Sequence, residues 1–164
     1  MLDALDKELE QRGHKFVRYA DDFVVLVKSE RTAHRVFASV CRFVEKRLGL
    51  EVNREKSAVL PIRKLSYLGF SFRLGKIVVS ESSLAEFKYR LKQYARRNWS
   101  VSMEYRLYQL RQYVRGWMGY YGLSENASLW LWTDRWLRRR IRMCYWRMWK
   151  VPKRRYINLV KIGK

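Results

Sequence analysis

The stretch Phe16-Val-Arg-Tyr-Ala-Asp-Asp-Phe-Val-Val-Leu-Val27 decides how this chain is read. Two apolar runs rich in β-branched residues flank two adjacent aspartates. Such runs favour strands, and the polar break between them favours a tight hairpin. Asp21 and Asp22 are therefore expected at a β-turn, at the end of a sheet that should be buried. Two neighbouring carboxylates repel each other, which is costly unless a cation lies between or beside them. Mg²⁺ suits such a place, because it takes hard oxygen ligands and is commonly shared between carboxylates and substrate phosphates. The competing reading is an ordinary solvated turn, and the dipeptide alone does not choose between the two.

The totals narrow the field. A chain of 164 residues holds one ordinary domain or two small ones. A hydrophobic fraction of 48% supplies a real core and excludes global disorder. The net charge of +21 is distributed unevenly. Residues 1–87 carry 16 Lys/Arg against 12 Asp/Glu, whereas residues 88–164 carry 20 against 3. All seven Trp lie from Trp99 onward. Basic surface interleaved with aromatics suits a polyanion whose bases can stack, which is nucleic acid. An anionic membrane surface is the rival partner. No apolar run approaches the roughly 18 residues of a spanning helix, and the N-terminus lacks the pattern of a signal peptide. Cys41 and Cys144 form no CxxC or Cys/His cluster, which argues against zinc; a reduced cytoplasmic setting is the default expectation.

Along the chain, Leu2, Leu5 and Leu9 recur near helical spacing from Met1 to Arg12, and Gly13 is a stop. After the hairpin, Ser29 or Thr32 can cap a helix with Val36, Phe37, Val40, Phe43, Val44 and Leu48 on its apolar stripe, closed by Gly49. The spacing then predicts a polar connection over 50–57, a short strand Ala58-Val-Leu60, one strand over Leu65–Phe72, and a hairpin turn at Leu74-Gly75-Lys76 into Ile77-Val-Val79. Gly69, inside that strand, permits close approach of a ligand or another element. From Ser80 the pattern turns helical. Three amphipathic helices are expected: from Ser80 or Ser82 to about Arg97, from Ser100 or Ser102 past Met118, and over 125–149, with Pro152 as a limit and Lys153-Arg-Arg155 as a basic tail. The fold class expected is α+β, with residues 1–79 and 80–164 as its two parts.

Phe16-Val-Arg-Tyr-Ala-Asp-Asp-Phe23 resembles the YADD box of reverse transcriptases. Leu48-Gly-Leu-Glu-Val-Asn-Arg-Glu-Lys-Ser57 and Tyr67-Leu-Gly-Phe70 follow at suitable distances and are similar to the next two palm blocks of those proteins. Arg115-Gly-Trp-Met-Gly-Tyr-Tyr-Gly122 and Asp134-Arg-Trp-Leu-Arg-Arg-Arg-Ile-Arg142 resemble the maturase-specific domain of group II intron-encoded proteins. A lone YADD is a weak signal, but four boxes in order, with a charge step between them, are a specific one.

The resemblance implies the C-terminal part of a palm over 1–79, followed by a three-helix thumb/maturase bundle with a basic tail over 80–164. It implies RNA-directed DNA synthesis and intron RNA binding and splicing for the whole family. Nucleotidyl transfer there uses Mg²⁺ to activate the primer 3′-hydroxyl and stabilise the leaving pyrophosphate. By similarity Asp21 is the principal metal ligand, Asp22 assists it, and Lys56 lies near the incoming nucleotide. Tyr19 and Ala20 lie near the primer terminus, and Leu68, Gly69 and Phe70 belong to the primer grip. Each has a plainer alternative: a packed hairpin aromatic for Tyr19, a solvated loop lysine for Lys56, core packing for the Tyr67–Phe72 segment. Asn53 is expected to hold its loop through side-chain-to-backbone hydrogen bonds.

For the basic half the resemblance implies intron RNA and primer–template nucleic acid as partners. Arg115, Trp117, Arg135, Arg138, Arg139, Arg140, Arg142, Lys153, Arg154 and Arg155 are the candidate contacts. Arginine suits phosphate through its planar fork, while Trp117, Tyr120 and Tyr121 either stack on bases or fill the core. The family also needs a third carboxylate from an earlier palm strand and a fingers region, for which the stretch before the hairpin is too short. The expectation is therefore a fragment, inactive in DNA synthesis by itself and retaining RNA binding, with an N-terminal polymerase fragment supplied in trans as a candidate partner. A non-catalytic basic RNA-binding module or an inactive remnant is the alternative.

Overall fold

The first helix, α1 (Asp3–Gln11), buries Leu5 and Leu9 one turn apart and stops where Gly13 takes φ +69°. These coordinates are a computed structural model that describes residues 2–149 and 151–163; the reading of Met1 as the start of the helix lies outside the described residues. The chain forms two compact units, 1–67 and 68–164.

In the first unit, β1 (Lys15–Tyr19) and β2 (Asp22–Leu26) pair antiparallel, with Phe16 opposite Val25 and Tyr19 opposite Asp22. Alternation along β1 turns Phe16 and Arg18 towards the helices and leaves Val17 and Tyr19 outward, 55% and 66% exposed. The sheet expected to be buried is a two-stranded ribbon covered on one face among the described residues. Its cover is α1 and α2 (Glu30–Arg47), whose Val36, Val40 and Val44 form one core with Leu5 and Leu9. Ser29 is the cap of α2: its Oγ accepts from the Thr32 amide at 3.3 Å. Gly49 (φ +65°) turns the chain out of that helix, as its position suggested. The strand expected at 58–60 does not form; the segment runs irregularly into a single 3₁₀ turn, Ile62–Lys64, after Pro61, which has no amide hydrogen to give a ladder. β3 (Ser66–Tyr67) ends the unit.

The strand expected over 65–72 is broken. Leu68 (φ +50°) and Gly69 (φ +77°) both enter the left-handed region, so the chain turns there and restarts as β4 (Phe70–Arg73). The same Leu-Gly pattern recurs at Leu74 (φ +51°) and Gly75 (φ +74°), joining β4 to β5 (Lys76–Val79). Four helices follow: α3 (Glu81–Tyr94), α4 (Met103–Tyr121), α5 (Ala127–Met148) and α6 (Pro152–Gly163). Ser80 and Ser102 cap α3 and α4, accepting from the Ser83 and Tyr105 amides. The expected bundle had three helices, Pro152 as their limit and a basic tail. Instead Pro152 opens a further helix, since its fixed φ and missing donor fit the first helical position, where no amide is needed.

The core of the second unit is Phe87, Leu91 and Leu110, with Trp117, Trp130, Trp136, Leu137 and Ile141 around them. Trp117 stacks on Phe87 with centroids 3.9 Å apart. One charged side chain is built into this unit. Arg106 is 3% exposed, and its guanidinium donates to the carbonyls of Tyr94, Arg96 and Trp99, each at 2.7 Å. Those carbonyls lie at and beyond the C-terminal end of α3, where unpaired backbone acceptors and the negative end of the helix dipole favour a cation. Trp99 also lies 5.0 Å from the guanidinium, ring centroid to Cζ.

Replacing Arg106 with Met strips donors from three carbonyl groups at a buried place, each worth about 1 kcal/mol or more. The expected loss is roughly 3 kcal/mol, measured by denaturant unfolding, with the lost structure centred on residues 94–101 in amide hydrogen exchange.

Candidate functional site

In the first unit the candidate site is the Tyr19–Asp22 turn. Tyr19 and Asp22 are the last ladder pair, so Ala20 and Asp21 form a two-residue loop. Ala20 sits at φ +54°, in a region that costs a side-chain-bearing residue about 1 kcal/mol. The turn is held from two sides. Arg18 Nη1 donates to the Ala20 carbonyl at 2.8 Å while its Nε donates to Asp6 Oδ1 of α1, also at 2.8 Å. Tyr67, on β3, donates its hydroxyl to the Asp22 carbonyl at 3.1 Å. Both aspartate side chains remain exposed.

The electrostatics of the clamp follow from its geometry. Hydrogen bonds from Arg18 hold the Asp6 carboxyl below its ordinary value of 3.8; partial burial opposes this and the guanidinium charge adds to it. Burial pushes the Tyr67 phenol up, and the Asp22 carboxylate pushes it further, so Tyr67 stays a donor at neutral pH.

Lys56 is exposed in the 50–61 connection. Asn53 holds that loop as expected: its Oδ1 accepts from the amides of Glu55 and Lys56, both at 3.1 Å. Asp21 and Asp22 offer two exposed carboxylates at one turn, hard oxygen donors of the kind Mg²⁺ shares with substrate phosphates. Among the described residues no group of three His, Cys, Asp or Glu side chains comes together to hold an ion.

In the second unit, Leu68, Gly69 and Phe70 lie against α4. A Cβ on Gly69 would meet the Tyr121 hydroxyl at 2.4 Å and Ser83 Oγ at 2.9 Å, so the close approach that glycine permits is made here by a side chain of the same unit. Tyr120 donates to the Leu68 carbonyl at 3.0 Å, and the Phe70 ring lies 5.6 and 5.2 Å from those of Tyr120 and Tyr121.

The basic residues divide by what they touch. Arg115, Arg135, Arg139, Arg142, Lys153 and Arg154 are exposed. Arg138 is exposed but bridged to Asp134 one turn earlier at 2.8 Å. Arg155 donates to the Trp149 carbonyl at 2.6 Å and lies 5.2 Å over Trp146, so it caps the end of α5. Arg140 is half-buried, 5.8 Å over Trp136. Trp117 has its ring against Phe87, Tyr121 and Trp130, whereas Trp132 and Trp146 on α5 are about half exposed. Arg96, Arg97 and Arg147 carry no motif, yet they line a cleft with Arg140. The signal for part of it is the seven-residue spacing of Arg140 and Arg147, which puts both on one helix face. No helix among the described residues is long and apolar enough to cross a membrane.

Comparison with known families divides the chain in the same order as its charge. Residues 1–72 match the model for reverse transcriptase (RNA-dependent DNA polymerase). Residues 84–162 match the model for the group II intron, maturase-specific domain. No curated protein matches the chain.

Because Asp6 has a lowered folded value, its contribution is complete above its unfolded value near 3.8 and is lost as pH falls through the lower folded one. The Ala20–Asp22 amides are therefore expected to stay ordered at pH 5 and to broaden or shift at about pH 3. Asp6→Asn is expected to show that disorder already at neutral pH, read by two-dimensional amide NMR.

Proposed function

We propose that this chain, which belongs to the family of group II intron reverse transcriptases and maturases, serves as an RNA-gripping module. In this reading residues 1–79 derive from the polymerase palm and residues 80–164 from the thumb/maturase domain. The basic part holds the phosphate backbone of intron RNA and of primer–template duplex, in support of splicing and reverse transcription. The observation that carries the reading is the imbalance of the second part. Residues 88–164 have 20 Lys/Arg against 3 Asp/Glu, and exposed arginines run along α5 on either side of its apolar face. Such a field attracts nucleic acid and releases counterions from each phosphate it neutralises. Exposed Trp132 and Trp146 add stacking surfaces within the same helix.

The palm-derived part keeps the backbone of a metal-binding edge. Asp21 as principal ligand, Asp22 as its assistant and Lys56 beside a nucleotide are the roles the family assigns. Polymerases of the reverse transcriptase family typically use a divalent metal, and Mg²⁺ is the ion such oxygen donors favour. With two carboxylates at the turn and no third donor joining them among the described residues, this polypeptide by itself does not carry the reaction.

Two measurements test the proposal. RNA retention by the purified chain is expected to weaken by at least tenfold between 50 and 200 mM salt, as binding through several phosphates requires; salt-independent retention overturns it. Primer extension on a primed RNA template with Mg²⁺ is expected to give no product from the same polypeptide, and robust extension overturns the non-catalytic reading.

A further inference from the structure

We propose that the cleft between the α3–α4 connection and α5 is a binding site for the phosphate groups of a nucleic-acid backbone. This deepens the RNA-gripping reading and rests on it, and it joins Arg140 of the arginine run to Arg96, Arg97 and Arg147, which lie outside that run.

The cleft has a volume of about 460 Å³ and is lined by Arg96, Arg97, Asn98, Arg140, Met143 and Arg147. Four guanidinium groups converge there and no carboxylate lines it. The acids of this unit that form ion pairs do so elsewhere: Glu81 with Arg73, Glu86 with Arg90 and Asp134 with Arg138. Concentrating like charges without a counter-charge is unfavourable, and an anion in the cleft relieves it. Arg140 supplies a second, independent sign. Its Nε is buried and has no acceptor in the folded chain, although its guanidinium is stacked against Trp136. A donor so placed is costly to leave unmade, and Arg140 is one of the residues that line the cleft.

The walls are held before any ligand arrives. Arg96 and Arg97 follow the end of α3, where buried Arg106 grips the Arg96 carbonyl at 2.7 Å. Arg140 and Arg147 stand two turns apart on one face of α5. The planar fork of arginine suits the tetrahedral oxygens of phosphate. A neighbouring cavity of about 210 Å³ shares Arg97, Asn98 and Arg147 and adds Trp99, Val101 and Met148. Its wall is mixed, with Ser100 and Arg106 beside the one aromatic, Trp99, and a ring next to a cationic cleft fits a base next to its phosphate. A flat anionic bilayer would instead reach an amphipathic face lying in its plane, whereas these arginines line a cleft between a loop and a helix.

The test measures binding of the full chain to a labelled single-stranded RNA by fluorescence anisotropy over a salt series. Arg97→Gln/Arg147→Gln removes two exposed cleft charges. Lys92→Gln/Arg111→Gln removes two exposed charges elsewhere on the same unit. The cleft variant is expected to lose at least tenfold in affinity at 150 mM salt and to lower the slope of log K against log salt by about 1.4, two contacts at about 0.7 each. The control is expected to lose no more than about threefold. Equal losses in both variants overturn the cleft and leave the RNA-gripping reading standing. Failure of the unaltered chain to bind RNA, with binding to vesicles rich in anionic lipid, overturns both. A measurement free of substitutions completes the test: titrating inorganic pyrophosphate into the unaltered chain is expected to shift the Arg140 Nε–Hε NMR signal. A signal that does not move overturns the site.

Discussion

The second unit depends on one buried arginine. Arg106 gathers three carbonyls from the end of α3 and the connection that follows, and thereby fixes where α3 stops and how residues 95–101 reach α4. A guanidinium is suited to this task because its donors lie in one plane and spread in several directions. Lysine has a single ammonium and cannot span the same acceptors in that geometry. The apolar cluster of Phe87, Leu91 and Leu110, with Trp117 and Trp130 against it, packs α3, α4 and α5 but does not specify the loop. The polar staple does that, and the cleft wall formed by Arg96, Arg97 and Asn98 follows from it.

The first unit uses the same device on a smaller scale. Arg18 joins a helix carboxylate to a turn carbonyl, so α1 and the Asp-Asp hairpin share one hydrogen-bonded group. Tyr67 reaches the other end of the same turn. The turn needs such help because Ala20 lies in a backbone region that glycine or asparagine would enter more easily. Holding an alanine there leaves the Asp21 and Asp22 side chains free of the bonds that fix the backbone. The clamp on the turn therefore uses neither carboxylate.

Much of the local structure was legible. The Asp-Asp hairpin, the serine caps of α2, α3 and α4, and the glycine that ends α1 follow from signals contained within a few residues. The misses have physical causes. Leu65–Phe72 alternates like one strand, but Leu68 and Gly69 turn together, and a leucine with positive φ leaves no trace in a hydrophobicity pattern. Ala58–Leu60 has strand-forming residues and gains no ladder beside Pro61. Lys153-Arg-Arg155 reads as a basic tail beyond a limiting Pro152, yet a proline starts a helix as readily as it ends one. Among the site residues, the Asn53 loop was foreseen, whereas Trp117 offered two readings that only its neighbours distinguish.

By itself the sequence determined the type of most elements, the order of the four family boxes and the step in charge at about residue 88, because each is written in residue identity and spacing along the chain. It also determined the family, since the boxes are contiguous strings. The tertiary structure alone decided which arginines are structural and which are available. Arg18, Arg106 and Arg155 bond to backbone carbonyls, while Arg96, Arg97, Arg140 and Arg147 surround an open cleft. All seven are the same residue in the same basic chain. What separates them is burial and the acceptors within reach, and those come from segments that meet only after folding.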